Sequence, residues 1–221
     1  MFNIENYISQ LIDLLHVKFG NRLVYVGLQG SYLRGEATKT SDIDIMVVLD
    51  VLDPADLSAY RSVIESLEEF DKSCGFICSS ADLTNWNPLE ICHLIHSTKD
   101  YFGVLRDLVP VYTEQDIRNF VKMSINNMYH EICHRYIHGD AEQNRTLLPY
   151  TYKGVFFILQ NSHYLRCGEF IGTKRELLSK LEGRDRTVLE RSLEFSAGIE
   201  QDFQESFEIL FHWCQETLQS L

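Results

Sequence analysis

Long apolar runs are absent from this chain of 221 residues, since no stretch of about eighteen consecutive apolar residues occurs in it. The sequence therefore predicts no transmembrane helix. The first twenty residues also lack the profile of a signal peptide, because their apolar positions recur at helical spacing among acidic residues. We expect a cytoplasmic protein.

Paired cysteine motifs are absent as well. The chain has six cysteines, and most of them lie in apolar surroundings (Cys74, Cys78, Cys92, Cys133, Cys167, Cys214). This scatter is typical of reduced, packed thiols and not of a disulfide framework. Cys74, Cys78, Cys92 and His93 do not complete a zinc motif, because no His-x-x-x-His pair follows them.

Basic residues are scarce. The chain has 20 Lys and Arg against 32 Asp and Glu, which gives a formal net charge of −12. Long nucleic acid is therefore an unfavourable partner, since neutralising its phosphates requires clustered basic residues. An acidic surface is better suited to a cationic small molecule or to a partner protein. The hydrophobic content of 45% is sufficient for a folded core.

One region combines a Gly-Ser turn with two carboxylates. Two short apolar runs, 23–28 and 43–49, predict buried strands on either side of it. On the second strand Asp42 and Asp44 point to the same face, because side chains alternate along a strand. Two neighbouring carboxylates repel each other and require a cation, and magnesium prefers such oxygen ligands together with substrate phosphates.

The turn before this strand predicts a phosphate cradle. Gly30 permits a tight turn, and Ser31 is expected to cap a short helix whose free N–H groups face a phosphate. Arg34, one turn later, is expected to add a charge-assisted contact. Together the turn and the aspartates predict a metal-dependent nucleotide site.

The pattern over this region is Gly-Ser-x-x-Arg-Gly, five residues, then Ser-Asp-x-Asp. It resembles the signature of the DNA polymerase β-type nucleotidyltransferase superfamily, and within it the small bacterial nucleotidyltransferases. These include the antibiotic nucleotidyltransferases and the minimal nucleotidyltransferases that pair with helical proteins. The resemblance covers about residues 20 to 105.

The resemblance implies two magnesium ions held by Asp42, Asp44 and a third carboxylate on the next strand. It also implies transfer of a nucleoside monophosphate from a nucleoside triphosphate to an acceptor hydroxyl, with release of pyrophosphate. The next predicted strand, 73–80, has no acid. Asp71 precedes it and Asp82 follows it; we favour Asp82 as the third metal ligand, with Glu90 as a further candidate.

The remaining pattern predicts an α+β fold. A helical segment at 54–70 between two strands indicates a small mixed β-sheet with helices on one side, and the nucleotidyltransferase domain is expected to span 1–110. An all-α helical bundle is expected over 111–221. Its long amphipathic segments are 113–138, 150–167, 173–181 and 185–218.

The segment that begins Lys153-Gly154-Val155 resembles the helical domain of antibiotic nucleotidyltransferases, where a first-turn lysine faces the active site. The resemblance implies that Lys153 contacts the triphosphate.

Three functions follow from these patterns. The first is nucleotidyl transfer to the hydroxyl of an antibiotic-like small molecule. The second is AMP transfer to a partner protein in a regulatory or toxin-antitoxin-like pair. The third is a non-catalytic nucleotide sensor, favoured by the missing third acid. Formation of a homodimer is left open.

Overall fold

The computed structural model describes residues 2–220, which form two compact units that divide between Tyr112 and Thr113. The strands of the first unit are β1 (Leu23–Leu28), β2 (Ile43–Leu49), β3 (Ser73–Ser79) and β4 (Lys99–Phe102). Its α-helices are α1 (Ile4–Phe19), α2 (Gly30–Leu33), α3 (Pro54–Glu65), α4 (Ser80–Thr84) and α5 (Pro88–His96). These elements confirm the predicted α+β class.

The sheet is mixed, with the strand order β3-β2-β1-β4. β1 is antiparallel to β2 and β4, whereas β2 and β3 are parallel. Leu28 at the end of β1 pairs with Ile45 near the start of β2, and Cys74 near the start of β3 pairs with Asp44. The end of β1 and the starts of β2 and β3 therefore meet at one edge of the sheet.

β2 is buried on both faces, which explains its continuous apolar sequence. Ile43, Ile45 and Val47 belong to the core formed with α1 and α3. Met46 and Val48 face a smaller cluster on the opposite side, which includes residues of α4 and of the segment after β4. Each such side chain contributes about 1.5 to 3 kcal/mol on burial, so the sheet holds the start of β2 firmly.

The second unit is helical. Its helices are α6 (Glu114–His138), α7 (Ala141–Lys153), α8 (Val155–Cys167), α9 (Lys174–Lys180), α10 (Gly183–Ser196) and α11 (Phe203–Ser220). They enclose one apolar core that includes Tyr152, Phe156 and Trp213.

Two segments that we predicted as single helices are broken. The first break is at Gly154, between α7 and α8, and the second lies between α10 and α11. There Gly198 adopts a left-handed backbone, with φ of 72°, and so ends α10. Across residues 2–220 no helix has both the length and the apolar content to cross a membrane.

Candidate functional site

The turn after β1 lies directly against the start of β2. The Gln29 N–H donates a hydrogen bond of 2.9 Å to the backbone carbonyl oxygen of Asp44. Gly30 has a φ of 70°, and a Cβ atom added there would overlap the carboxylate of Asp44. Both the backbone conformation and the close approach therefore require glycine at this position. The Gly-Ser turn and the aspartate strand form one packed unit.

The short helix α2 begins differently from our prediction. Gln29 is its N-cap residue and makes no side-chain capping bond, whereas Ser31 lies inside the helix. The prediction that Ser31 caps α2 is therefore wrong. The first N–H groups of any helix lack intrahelical acceptors, so the backbone of this turn still offers donors to an anion.

Asp42 immediately precedes β2 and Asp44 is the second residue of the strand, so strand alternation favours the same face for both. Asp42 is exposed and Asp44 is partly buried. Burial raises the pKa of Asp44, and the charge of Asp42 raises it further, while a hydrogen bond with Cys74 and the charge of Arg34 lower it. A divalent cation would relieve the repulsion between the two carboxylates, so their chemistry is suitable for magnesium.

Cys74 occupies the position on β3 beside Asp44. The two residues are register partners in the parallel pair, and the Cys74 thiol is close enough to lower the pKa of Asp44. Loss of solvation and the negative charges of Asp44 and Asp42 raise the pKa of this thiol. The sequence analysis named Cys74 only in the incomplete zinc motif; the parallel register that places it beside Asp44 is visible only in the structure.

No third acid joins this pair in the described chain. Among residues 2–220, no further Asp, Glu, His or Cys completes a set with Asp42 and Asp44 in which all ligand atoms lie within 4.8 Å of one another. On the neighbouring strand, where the resemblance implied a carboxylate, the adjacent residue is Cys74.

The location of Asp82 contradicts its assignment as the third catalytic and metal-binding carboxylate. Ser79, just before α4, pairs with Leu49 at the opposite end of β2, about five residues or roughly 16 Å along the strand from Cys74. The Asp82 carboxylate accepts hydrogen bonds from the Ser79 N–H at 3.0 Å and from the Ser79 hydroxyl at 2.7 Å. These bonds lower the pKa of Asp82. Its structural task is to cap α4.

The other two candidate acids differ in position. Glu90 accepts a hydrogen bond of 2.6 Å from the indole N–H of Trp86. Asp71 lies in the turn that leads into β3, at the same end of the sheet as Asp42. Asp71, unlike Asp82, therefore lies at the end of the sheet where Asp42 and Asp44 lie.

Arg34 lies close enough to influence Asp44. Its guanidinium forms an ion pair of 2.9 Å with Glu36, and its charge lowers the pKa of Asp44. It also acts on His93 of α5, whose pKa is lowered to about 4, chiefly by burial and then by Arg34 and His96. His93 therefore presents a neutral imidazole near a cationic side chain.

Lys153 belongs to the second unit. It is the last residue of α7 rather than a first-turn residue of α8, which begins at Val155, so the predicted helix start is wrong. The Lys153 ammonium lies 4.7 Å from the ring centroid of Tyr150. Contact between Lys153 and a triphosphate stays a prediction.

Comparison with known proteins is consistent with this geometry. Residues 8–126, more than half of the chain, match the nucleotidyltransferase domain family. Two candidate protein adenylyltransferases of Methanocaldococcus jannaschii are 43% identical over 49 residues and 50% identical over 44 residues. Those segments cover 22% and 20% of this chain, and 49% and 44% of the relatives. The chain thus matches about half the length of these curated relatives.

A solved structure resembles nearly the whole chain. It is the spectinomycin adenyltransferase of Enterococcus faecialis, determined with ATP and spectinomycin. The TM-score is 0.62, and the match covers 98% of this chain and 100% of the other at 12% sequence identity. At so low a sequence identity, the structural similarity shows a shared fold alone.

Proposed function

The chain belongs to the nucleotidyltransferase domain family, and from this premise we propose that it transfers an adenylyl group from ATP to a hydroxyl of an antibiotic-like small molecule. The observation that carries the proposal is the close packing of Gly30 on the Asp44 carboxylate. It joins a turn suited to a phosphate to a pair of carboxylates suited to a cation. ATP is proposed because the relatives are named adenylyltransferases and the structural neighbour contains ATP.

Each side chain has a separate task in this proposal. The backbone donors at Gly30 and Ser31 bind the triphosphate, and Arg34 offsets part of its charge. Asp42 and Asp44 would hold magnesium, which neutralises phosphate charge and favours ionisation of the acceptor hydroxyl. His93, neutral and partly buried, adds no charge to this site.

The transfer is a displacement at the α-phosphorus. The acceptor oxygen forms a bond to this phosphorus, the bond to the bridging oxygen breaks, and pyrophosphate leaves with the electron pair. Within residues 2–220 no third carboxylate accompanies Asp42 and Asp44 as a nearby base. The proton of the acceptor hydroxyl therefore passes to solvent water in this proposal.

A small-molecule acceptor is supported by the extent of the structural match. The match with the spectinomycin adenyltransferase covers 98% of the chain, which includes residues of both units. The formal charge of −12 also favours a cationic acceptor over a polyanion.

A protein acceptor is the second candidate. It is favoured by the local identities of 43% and 50% to two proteins named as protein adenylyltransferases. Those matches cover a fifth of this chain, so they support the chemistry of the nucleotide site more than the choice of acceptor.

Labelled ATP tests the proposal. The protein is incubated with magnesium, ATP labelled at the α-phosphate, and a panel of aminocyclitol and aminoglycoside antibiotics, and then with cell protein. We expect label in a small-molecule product, and none with the Asp42→Asn/Asp44→Asn variant. Asp82→Asn is the matched control, because Asp82 lies at the other end of β3.

Each result discriminates between the candidates. Label in protein would favour the second candidate, and magnesium-dependent ATP binding without any transfer would favour a nucleotide sensor. Equal turnover by wild type and the double variant would contradict the metal site.

The predicted role of Lys153 is tested separately. Lys153→Ala should weaken ATP binding, whereas Lys122→Ala, a change at an exposed lysine of α6, should not. An unchanged ATP affinity in Lys153→Ala would contradict a contact with the triphosphate.

A further inference from the structure

Three potential metal ligands converge at the end of α8, in the second unit. They are His163, Cys167 and Glu169, and one ligand atom of each lies within 4.8 Å of the ligand atoms of the other two. In the chain from residue 2 to residue 220, no other group of three such side chains meets this condition. The nucleotide site does not use any of these three residues.

The local backbone explains the convergence. His163 and Cys167 are four residues apart, so they share one face of α8, and the Cys167 sulfur lies 3.2 Å from His163 Nε2. Gly168 then adopts a left-handed conformation, with φ of 71°, and ends the helix. This turn returns the chain so that Glu169 approaches the same face.

The donor set is one nitrogen, one sulfur and one carboxylate oxygen. Zinc accepts all three, at about 2.0 to 2.3 Å, and tetrahedral bonds of these lengths place a nitrogen and a sulfur ligand about 3.6 Å apart. The observed separation of 3.2 Å requires only a small adjustment. Magnesium and calcium would not select a thiol, because they prefer oxygen ligands.

The surroundings permit entry of a cation. Cys167 and Glu169 are exposed and His163 is partly exposed. The Lys180 ammonium lies 3.9 Å from the Glu169 carboxylate and would move aside.

We propose that His163, Cys167 and Glu169 bind one zinc ion, with water in the fourth position. The ion would join the end of α8 to the segment that precedes α9, and so stabilise the second unit. Three protein ligands with one open position are an arrangement that zinc adopts. This proposal is independent of the proposed nucleotidyl transfer.

A row of exposed histidines on α6 is the main competitor for added metal. His130, His134 and His138 follow at four-residue spacing, with ring centroids 6.0 Å and 5.0 Å apart. This row contains no thiol, so a probe of metal–sulfur bonds separates it from the proposed site. Cys74, beside Asp44, is the second competitor and requires its own control.

Cobalt(II) is the probe, added to the purified full chain. A cobalt–thiolate charge-transfer band should appear and saturate at one equivalent. It should disappear in Cys167→Ser and persist in Cys74→Ser and His134→Ala. Zinc affinity, measured against a chromophoric chelator, should fall by more than about 100-fold in Cys167→Ser, because a direct ligand exceeds the effect of an outer-shell partner.

Because Cys167 is exposed, the Cys167→Ser variant should fold as wild type does. Far-UV circular dichroism checks this. Absence of the band in wild type would overturn the proposal, as would its survival in Cys167→Ser. Loss of the band in Cys74→Ser alone would assign the thiolate to the sheet edge and also overturn it. Zinc affinity that falls only in His134→Ala would assign binding to the histidine row.

Discussion

Replacing Cys74 by aspartate should supply the third carboxylate that the sheet edge lacks. Cys74 is the parallel-strand partner of Asp44 and is exposed, so the new side chain has room beside the aspartate pair. Without a metal ion, the additional negative charge should destabilise the first unit. With magnesium, the same charge should become a ligand or a base for the acceptor.

The expected loss of stability in Cys74→Asp follows from the spacing between strands. Neighbouring strands lie about 4.8 Å apart. Two unit charges at about 5 Å repel by roughly 0.8 kcal/mol in water and roughly 3 kcal/mol at an effective dielectric constant of 20. The free energy of unfolding of Cys74→Asp should be lower than that of wild type by an amount within this range. Magnesium at about 100 times its dissociation constant would restore roughly 2.7 kcal/mol.

The assay combines urea unfolding and adenylyl transfer, each with and without magnesium. A positioned base contributes about 10² to 10⁴ in rate, so kcat of Cys74→Asp should rise by at least about 100-fold. Cys74→Asn is the matched control, since it has a similar shape and no charge. The reasoning is refuted if magnesium stabilises both variants equally and neither gains activity.

Three further outcomes are expected. Gly30→Ala should abolish transfer in steady-state assays, because its Cβ displaces the Asp44 carboxylate; wild-type kcat would contradict this. Asp82→Asn should lower the free energy of urea unfolding by about 1 kcal/mol through its cap, with kcat unchanged. Arg22 lowers the pKa of Asp56, so this pair stabilises the fold above about pH 4 and less as pH falls. Asp56→Asn should flatten that dependence in urea titrations.

The features of the candidate site that depend on local sequence pattern could be predicted from the sequence. Strand alternation predicted one face for Asp42 and Asp44, and Asp42 immediately precedes β2 in the structure. The bounds of β1 and β2 are those that we predicted. The glycine requirement at Gly30 followed from the turn, although its packing on Asp44 is a tertiary contact. Local periodicity therefore located the center of the candidate site.

The residue that lies beside the aspartate pair on the neighbouring strand could not be predicted, because it depends on how two strands pair. Searching for the next acid along the chain led to Asp82, whereas the parallel register places Cys74 beside Asp44. Ser79 and Asp82 instead satisfy each other at the start of α4. Strand register depends on pairing between distant segments, which composition and spacing do not specify.

The helical unit shows a similar limit. The apolar spacing predicted helices in the correct places, but it continued across the break at Gly154 and the break near Gly198. Glycine lowers helix propensity without forcing an end, so packing against the other helices decides where each break occurs.

Calorimetric titration with a non-hydrolysable ATP analogue tests the central claim that Asp42 and Asp44 hold the metal and the triphosphate. Wild type should bind the analogue at least ten times more tightly with magnesium than without it. Asp42→Asn/Asp44→Asn should lose this magnesium dependence and remain folded. Equal magnesium-dependent affinity in the two proteins would contradict the claim.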